Sequence, residues 1–218
     1  MIPKIIYFCN KTITQNEIQS SNEWKVLNPE YEIILYDDEK IKQFLLEEYG
    51  KIHLDIFNYL KDGPIKADFW RLCILYKNGG IYSDIDNVPL LKISDFLEKD
   101  VDFVTCSSYI HYNFNPNFIM SNKNNVILQK CIDLYVKKYN RKDKYDYWKW
   151  SVMRIFHDTL RIKNYNKKYG VYSLNDMKIQ IIQECAGENH YDAHNIYNNI
   201  RIFNNRTSLW DCDTHSFR

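Results

Sequence analysis

Apolar and polar positions along the first half of this chain alternate between two periods, and each switch marks an element. Residues 2–8 form a short apolar run rich in β-branched side chains, which predicts a buried first strand. A helical pattern follows over about 15–27 and closes before Asn28-Pro29. Residues 31–36 (Y-E-I-I-L-Y) read as a second strand closed by Asp37-Asp38, and 39–49 as a helix stopped by Gly50. This β-α-β-α opening predicts a mainly parallel sheet covered by helices. Gly63-Pro64 then opens a helix, Pro64 being suited to a first turn. That helix runs on to Tyr76 and ends at Asn78-Gly79-Gly80, where glycine permits a left-handed cap. Ile81-Tyr82-Ser83 is a strand leading into Asp84-Ile85-Asp86-Asn87.

The second half is less regular. Strands are expected over 101–106, 118–120, 179–182 and 200–203, an amphipathic helix over 125–139, and one helix over 147–162. Lys137 to Lys144 is a charge run, by default a solvated helix end or loop. With no internal repeat and no linker, the 218 residues read as one α/β unit, a mixed and mainly parallel Rossmann-like sheet flanked by helices.

Composition narrows the function classes. Hydrophobic residues make up 45% and charged residues 26%, the balance of a folded domain. The net charge of +1 gives no general electrostatic case for nucleic acid. No stretch approaches the roughly 20 apolar residues of a membrane span. The N-terminal apolar run is too short for an export signal, so a cytoplasmic location is expected. Six scattered cysteines with no C-x-x-C pair are expected to be reduced thiols.

The candidate chemistry lies in one constellation. Asp68 and Arg71 are three residues apart on a helix and share a face. Asp84 and Asp86 stand at the carboxyl end of the next strand, where ligands bind in open α/β sheets. A hard divalent cation, Mg²⁺ or Mn²⁺, takes one or two carboxylates together with substrate phosphates. Two aspartates one residue apart on an extended strand point to opposite faces, so a turn at the strand end is needed for both to serve one site. Arg71 offers a planar donor fork to phosphate or carboxylate, and Asp68 could accept from sugar hydroxyls. Each piece alone has a plainer meaning. A lone D-x-D is most often a turn, and an Asp68–Arg71 pair is most simply a helix-surface ion pair worth about 0.3–0.5 kcal/mol.

The joint pattern Ala67-Asp68-Phe69-Trp70-Arg71, then Leu75 to Asp86 through Gly79-Gly80, resembles the DXD region of glycosyltransferase family 32. That group includes mannosyltransferases and bacterial capsular polysaccharide glycosyltransferases, with a more distant similarity to large glucosylating bacterial toxins. Residues 2–9, Trp24, residues 28–33 and, more weakly, 117–121 and 208–210 are similar too. The resemblance implies a GT-A fold, a nucleotide diphosphate sugar (a UDP-sugar somewhat favoured over GDP-mannose), Mn²⁺ or Mg²⁺, and retention at the anomeric carbon. The acceptor would be a glycan, a lipid-linked molecule or a protein. Residues 1–100 would bind the donor, and 101–218 would supply the acceptor part and a closing C-terminal loop.

Carried over by position, Asp86 would bind the metal directly, and Asp84 would bind ribose, sugar or metal-bound water. Asp68 and Arg71 would hold the transferred sugar, making Asp68, Arg71, Asp84 and Asp86 the catalytic set. Tyr7, Phe8, Asn10, Tyr82, Ser208 and Trp210 complete the expected substrate-binding residues, and Asn205 and Ser208 the metal shell. The sequence departs from the pattern at Asn10, where a tryptophan is usual, and at Asn204-Asn205-Arg206, where a histidine is common. His215 could stand in for that histidine. Two rivals remain. A phosphatase of the HAD type would carry its D-x-D after the first strand with a threonine close behind, unlike Asn87-Val88 here. A degenerate binding protein of the same fold would keep the donor site without turnover.

Overall fold

The computed structural model describes residues 1–109, 114–162, 168–187 and 193–205, and the backbone of two short strands beyond them. In chain order the first elements are β1 (Ile5–Cys9), α1 (Gln15–Leu27), β2 (Glu32–Tyr36), α2 (Asp38–Tyr49), α3 (Lys51–Tyr59), α4 (Gly63–Asn78), β3 (Gly80–Ser83), β4 (Asn87–Pro89) and α5 (Ile93–Phe96). Then come β5 (Phe103–Ser107), β6 (Phe118–Ser121), α6 (Val126–Asn140), α7 (Tyr147–Trp150), α8 (Val152–Thr159), β7 (Gly170–Leu174), β8 (Met177–Ala186), β9 (Ala193–Tyr197) and β10 (Ile200–Asn205). The last two strands are β11 (Trp210–Asp211) and β12 (Ser216–Phe217), paired with each other.

One sheet runs through both halves in the order β2-β1-β3-β6-β5-β8-β9-β10-β4, with β7 alongside β8. The mixed α/β class is as expected. The pairs β1–β2, β1–β3 and β5–β8 are parallel, and the other pairs in this sheet are antiparallel. Short turns explain the antiparallel half. Asn175-Asp176 and Asn198-Asn199 all have positive φ and close two-residue hairpins, β7–β8 and β9–β10.

Side-chain alternation on β1 divides the interior in two. Ile6 and Phe8 face a core with Trp24 of α1 and Ile93 and Phe96 of α5. Tyr7 faces the opposite core, built from α2, α3, α4, α6 and α8. Helix α4 is buried at every position from Asp68 to Leu75, which explains why apolar residues surround Asp68 and Arg71 on every face. The expected helix over 147–162 is instead two, α7 and α8, with an extended break at Ser151. The Ser151 side chain caps the Met153 N–H, and the Val152 N–H is drawn to Asp68 Oδ2 at 2.9 Å, so a tertiary contact sets the break.

The α4–β3 connection fixes where the D-x-D segment emerges. Gly79 (φ +67) and Gly80 (φ +105) both lie in the left-handed half of backbone space. A Cβ on Gly80 would come within 2.9 Å of the Ile5 carbonyl oxygen, and one on Gly79 within 2.8 Å of the Lys123 nitrogen. Gly80→Ala is therefore expected to lower stability by about 1–3 kcal/mol from backbone strain alone. Urea unfolding checks this; a midpoint equal to that of the parent chain would contradict it.

Candidate active site

The site is built around Arg71, which is 5% exposed inside the protein. Its Nη2 lies 3.2 Å from Asp68 Oδ1 and 3.1 Å from Asp84 Oδ1. Its Nη1 donates to the Pro116 carbonyl at 2.6 Å, and its Nε to the Ala67 carbonyl at 3.3 Å. The guanidinium also sits over the Tyr82 ring, 4.2 Å from the centroid. The surface-pair reading of Asp68 and Arg71 is thus replaced by a buried pair. Burial works against the charged guanidinium, yet Asp84, Tyr82 and Asp68 hold its pKa above the ordinary arginine value.

Asp84, Asp86 and Asn87 form the turn that the two-face argument required, closed by the Asn87 N–H donating to the Asp84 carbonyl at 3.1 Å. The Asp84 N–H donates to the Asn117 carbonyl at 2.8 Å. Asp84 Oδ1 also accepts from the Tyr82 hydroxyl at 2.6 Å. The Asp84 side chain is 31% exposed, so a carboxylate held from one side still meets solvent. Asp86 is half-buried on the same turn.

Asp68 is placed differently from a sugar-contacting group. It is 7% exposed, with Oδ1 on Arg71 and Oδ2 accepting from Val152. In this structure it ties α4 to the start of α8 and braces Arg71 from behind. Burial pushes its carboxyl up to about 6, with Arg71 and the Val152 N–H acting in the opposite direction.

Tyr7 and Phe8, expected beside the donor, are 2% and 0% exposed. Phe8 packs against Trp24, with ring centroids 6.4 Å apart, and Tyr7 against Tyr36 at 6.3 Å. Both are core residues, on opposite faces of the sheet, because mid-strand positions of β1 face the two cores. Tyr82 is likewise 2% exposed, and it acts through Arg71 and Asp84. Asn10 stands half-exposed at the carboxyl end of β1, where its side chain donates to Glu17 at 2.9 Å. Glu17 meanwhile closes the capping box of α1 with Thr14.

Asn205 closes the arrangement from the other end of the chain. It pairs directly with Asn87 across β10 and β4, so the end of β10 runs beside the D-x-D turn. It is 7% exposed, and its Oδ1 is buried without a hydrogen-bond partner among the described residues. Ser208 lies outside the described residues, as do Arg206 and His215; of Trp210 only the backbone is described, in β11.

Sequence reasoning missed Glu184 and Asn115. Glu184 is 4% exposed and accepts from Asn115 Nδ2 at 2.6 Å and Asn205 Nδ2 at 3.4 Å. Burial pushes its carboxyl up to about 7, against the bonds from Asn115 and Tyr109. No local signal marks either residue, since they meet only through β8 and the segment before β6. Among the described residues, no three His, Cys, Asp or Glu side chains gather into a metal cage. The five described cysteines are free thiols, and Cys212 lies outside the described residues. No helix among the described residues is long and apolar enough to cross a membrane.

Comparison with known proteins bears on the family the chain resembles. Residues 14–104 match the family model described as the glycosyltransferase sugar-binding region containing the DXD motif. The chain is 30% identical over 104 residues to an initiation-specific alpha-1,6-mannosyltransferase of Schizosaccharomyces pombe, covering 45% of this chain and 26% of the relative. It is 36% identical over 107 residues to a mannosyl phosphorylinositol ceramide synthase of Saccharomyces cerevisiae, covering 45% and 28%. The chain thus spans about a quarter of the length of these relatives. Among solved structures, the PaToxG glycosyltransferase superposes with a TM-score of 0.58 at 23% identity, over 73% of this chain and 69% of that one. That likeness speaks for the fold, which is the expected GT-A type.

Two outcomes follow from this geometry. Arg71→Met leaves Asp68 buried without its cation, and is expected to cost about 3–5 kcal/mol in chemical denaturation, with Arg71→Lys costing less. The Asp68 carboxyl has a raised pKa in the folded chain, so its stabilising share is full below about pH 4 and is lost as pH rises through about 6. The stability of the parent chain should therefore fall relative to Asp68→Asn between those values; parallel curves would contradict it.

Proposed function

We propose that this chain transfers a hexose from a nucleotide diphosphate sugar with retention at the anomeric carbon, on the support of the match of residues 14–104 to the glycosyltransferase sugar-binding region containing the DXD motif. The acceptor would be a glycan, a lipid-linked molecule or a protein, and residues 101–218 would form its side of a single GT-A domain. The observation that carries this reading is the meeting of Arg71, the Asp84–Asn87 turn and the end of β10 at the carboxyl ends of the strands.

The residues present fit a hard divalent cation. Asp84 and Asp86 supply carboxylate oxygens, and the buried Asn205 Oδ1 is an oxygen donor with no hydrogen-bond partner among the described residues. Asp86, Asp84 and Asn205 would hold Mn²⁺ or Mg²⁺, with Ser208 as a further candidate. When bound, the cation would offset the charge that builds on the departing diphosphate.

The rest of the chemistry falls to the chain itself. The free side of Asp84 accepts from a hydroxyl of ribose or sugar, while Tyr82 and Arg71 hold its other side. Arg71 presents a fixed positive charge beside the leaving group. Its bonds to Asp68, the Pro116 carbonyl and the Tyr82 ring mean that little reorganisation accompanies the reaction. Asn10 lies where the nucleobase would approach, and its bond to Glu17 leaves a small polar face there instead of an aromatic plate. That commitment of Asn10 is what favours the alternative, a donor-binding chain without turnover.

A donor panel separates the two readings. The chain is incubated with UDP-glucose, UDP-galactose and GDP-mannose, the last because the two fungal relatives are named for mannosyl transfer. Release of nucleotide diphosphate is followed with Mn²⁺ or with EDTA. Release from one donor is expected, abolished by EDTA and reduced at least about 100-fold by Asp86→Ala. Metal-dependent binding without release, even when candidate acceptors are added, would support the alternative. Neither binding nor release would sink both.

A further inference from the structure

The corner where β8, β10 and the strand-end turn meet holds more polar groups than the fold requires. Asn87, Asn117, Asn195 and Asn205 are 1%, 3%, 0% and 7% exposed. Asn87 Oδ1, Asn205 Oδ1 and both side-chain polar atoms of Asn117 and Asn195 have no hydrogen-bond partner among the described residues. Most buried polar atoms are paired, so a group of unpaired ones calls for a cause.

Glu184 is the common support of this corner. Its Oε1 accepts from Asn205 and Asn115, and its Oε2 from the Tyr109 N–H at 3.3 Å. Asn115 begins a three-residue bridge. The next carbonyl, of Pro116, accepts from Arg71 at 2.6 Å. The carbonyl of Asn117 accepts from the Asp84 N–H at 2.8 Å and from Asn87 Nδ2 at 2.9 Å. One buried carboxylate therefore touches both the segment that locates Arg71 and Asp84 and the strand end that carries Asn205. An amide has its donor and its acceptor on opposite arms. Holding Asn205 by Nδ2 turns its Oδ1 away from Glu184.

We propose that Glu184 is a positioning residue that orients the Asn205 carbonyl oxygen toward the cation site and holds the Asn115–Asn117 bridge beside the D-x-D turn. The role rests on the function proposed above, since it supposes that a cation binds there. Groups that orient metal ligands typically matter about 10–100-fold for metal affinity.

The test is Mn²⁺ affinity in the presence of UDP or GDP, followed by the electron-spin signal of free Mn²⁺, on the full chain. Glu184→Ala and Asn205→Ala are each expected to weaken binding about 10–100-fold. Glu184→Gln retains one carbonyl oxygen for the two asparagine amides and is expected to recover most of the affinity. The double variant Glu184→Ala with Asn205→Ala should lose clearly less than the two single losses combined, because both changes remove the Asn205–Glu184 interaction while only the first also frees the Asn115–Asn117 bridge. Glu184→Asp keeps the carboxylate but shortens its reach, and serves if the alanine variant does not fold; it too should bind weakly.

Wild-type affinity in folded Glu184→Ala or Glu184→Asp would overturn the proposal while leaving the function intact. So would fully additive losses in the double variant, or a Glu184→Gln chain as weak as the alanine variant. If the parent chain itself binds no Mn²⁺ with either nucleotide, the cation-dependent function fails first and this role fails with it.

Discussion

A buried arginine must be answered on every side, and the site of this chain is organised by that requirement. A guanidinium out of water is stable only if its donors meet acceptors and its charge meets opposite charge. Arg71 takes one carboxylate from its own helix, one from the end of β3, a carbonyl from the segment before β6 and an aromatic face from β3. These partners come from segments far apart in the chain. Once Arg71 is enclosed, the relative positions of α4, the D-x-D turn and the Pro116 segment are set together.

The arginine could not be enclosed without the connection that follows its helix. Helix α4 is buried along its whole middle, and β3 follows it after a turn that only glycine tolerates. The turn places β3 beside β1, with Ile81 opposite Ile6 and Tyr82 opposite Tyr7. That pairing points Ile81 into the core with Trp24, and turns Tyr82 toward α4 and Arg71. Strand alternation thus decides which residues are structural and which serve the site. Tyr7 and Phe8 lie within β1, and Asn10 follows just beyond the strand's carboxyl end.

The first half of the fold was legible because its determinants are local. Periodicity, the Gly63-Pro64 start and the Gly79-Gly80 stop give α4 its observed bounds. The D-x-D constellation was legible for the same reason, since its parts lie within 19 residues of sequence. The second half depends on distant partners. Ser151 breaks a helix that its own sequence would continue, because Asp68 draws the next amide away. The two hairpins turn on Asn-Asp and Asn-Asn pairs, weaker signals than a turn glycine. Glu184 carries no mark of its importance on β8. Its meaning comes from Asn115 and Asn205, 69 residues before it and 21 after.

The identity of residue 205 follows from the same neighbourhood. Asp68, Asp84, Asp86 and Glu184 are already four carboxylates of this region, and Asp68 and Asp84 pair with Arg71. A fifth at 205 would face Glu184 across about 3.4 Å, the present distance from Asn205 Nδ2 to that carboxylate. Two carboxylates so close in a buried corner do not both ionise readily, and one would be forced to hold a proton. An asparagine avoids this conflict, because its amide donates to Glu184 while its carbonyl oxygen remains open to the proposed cation. Read in isolation, Asn205 looks like a weakened metal ligand. Beside Glu184 it is the residue type that satisfies the buried carboxylate and still offers an oxygen to a cation.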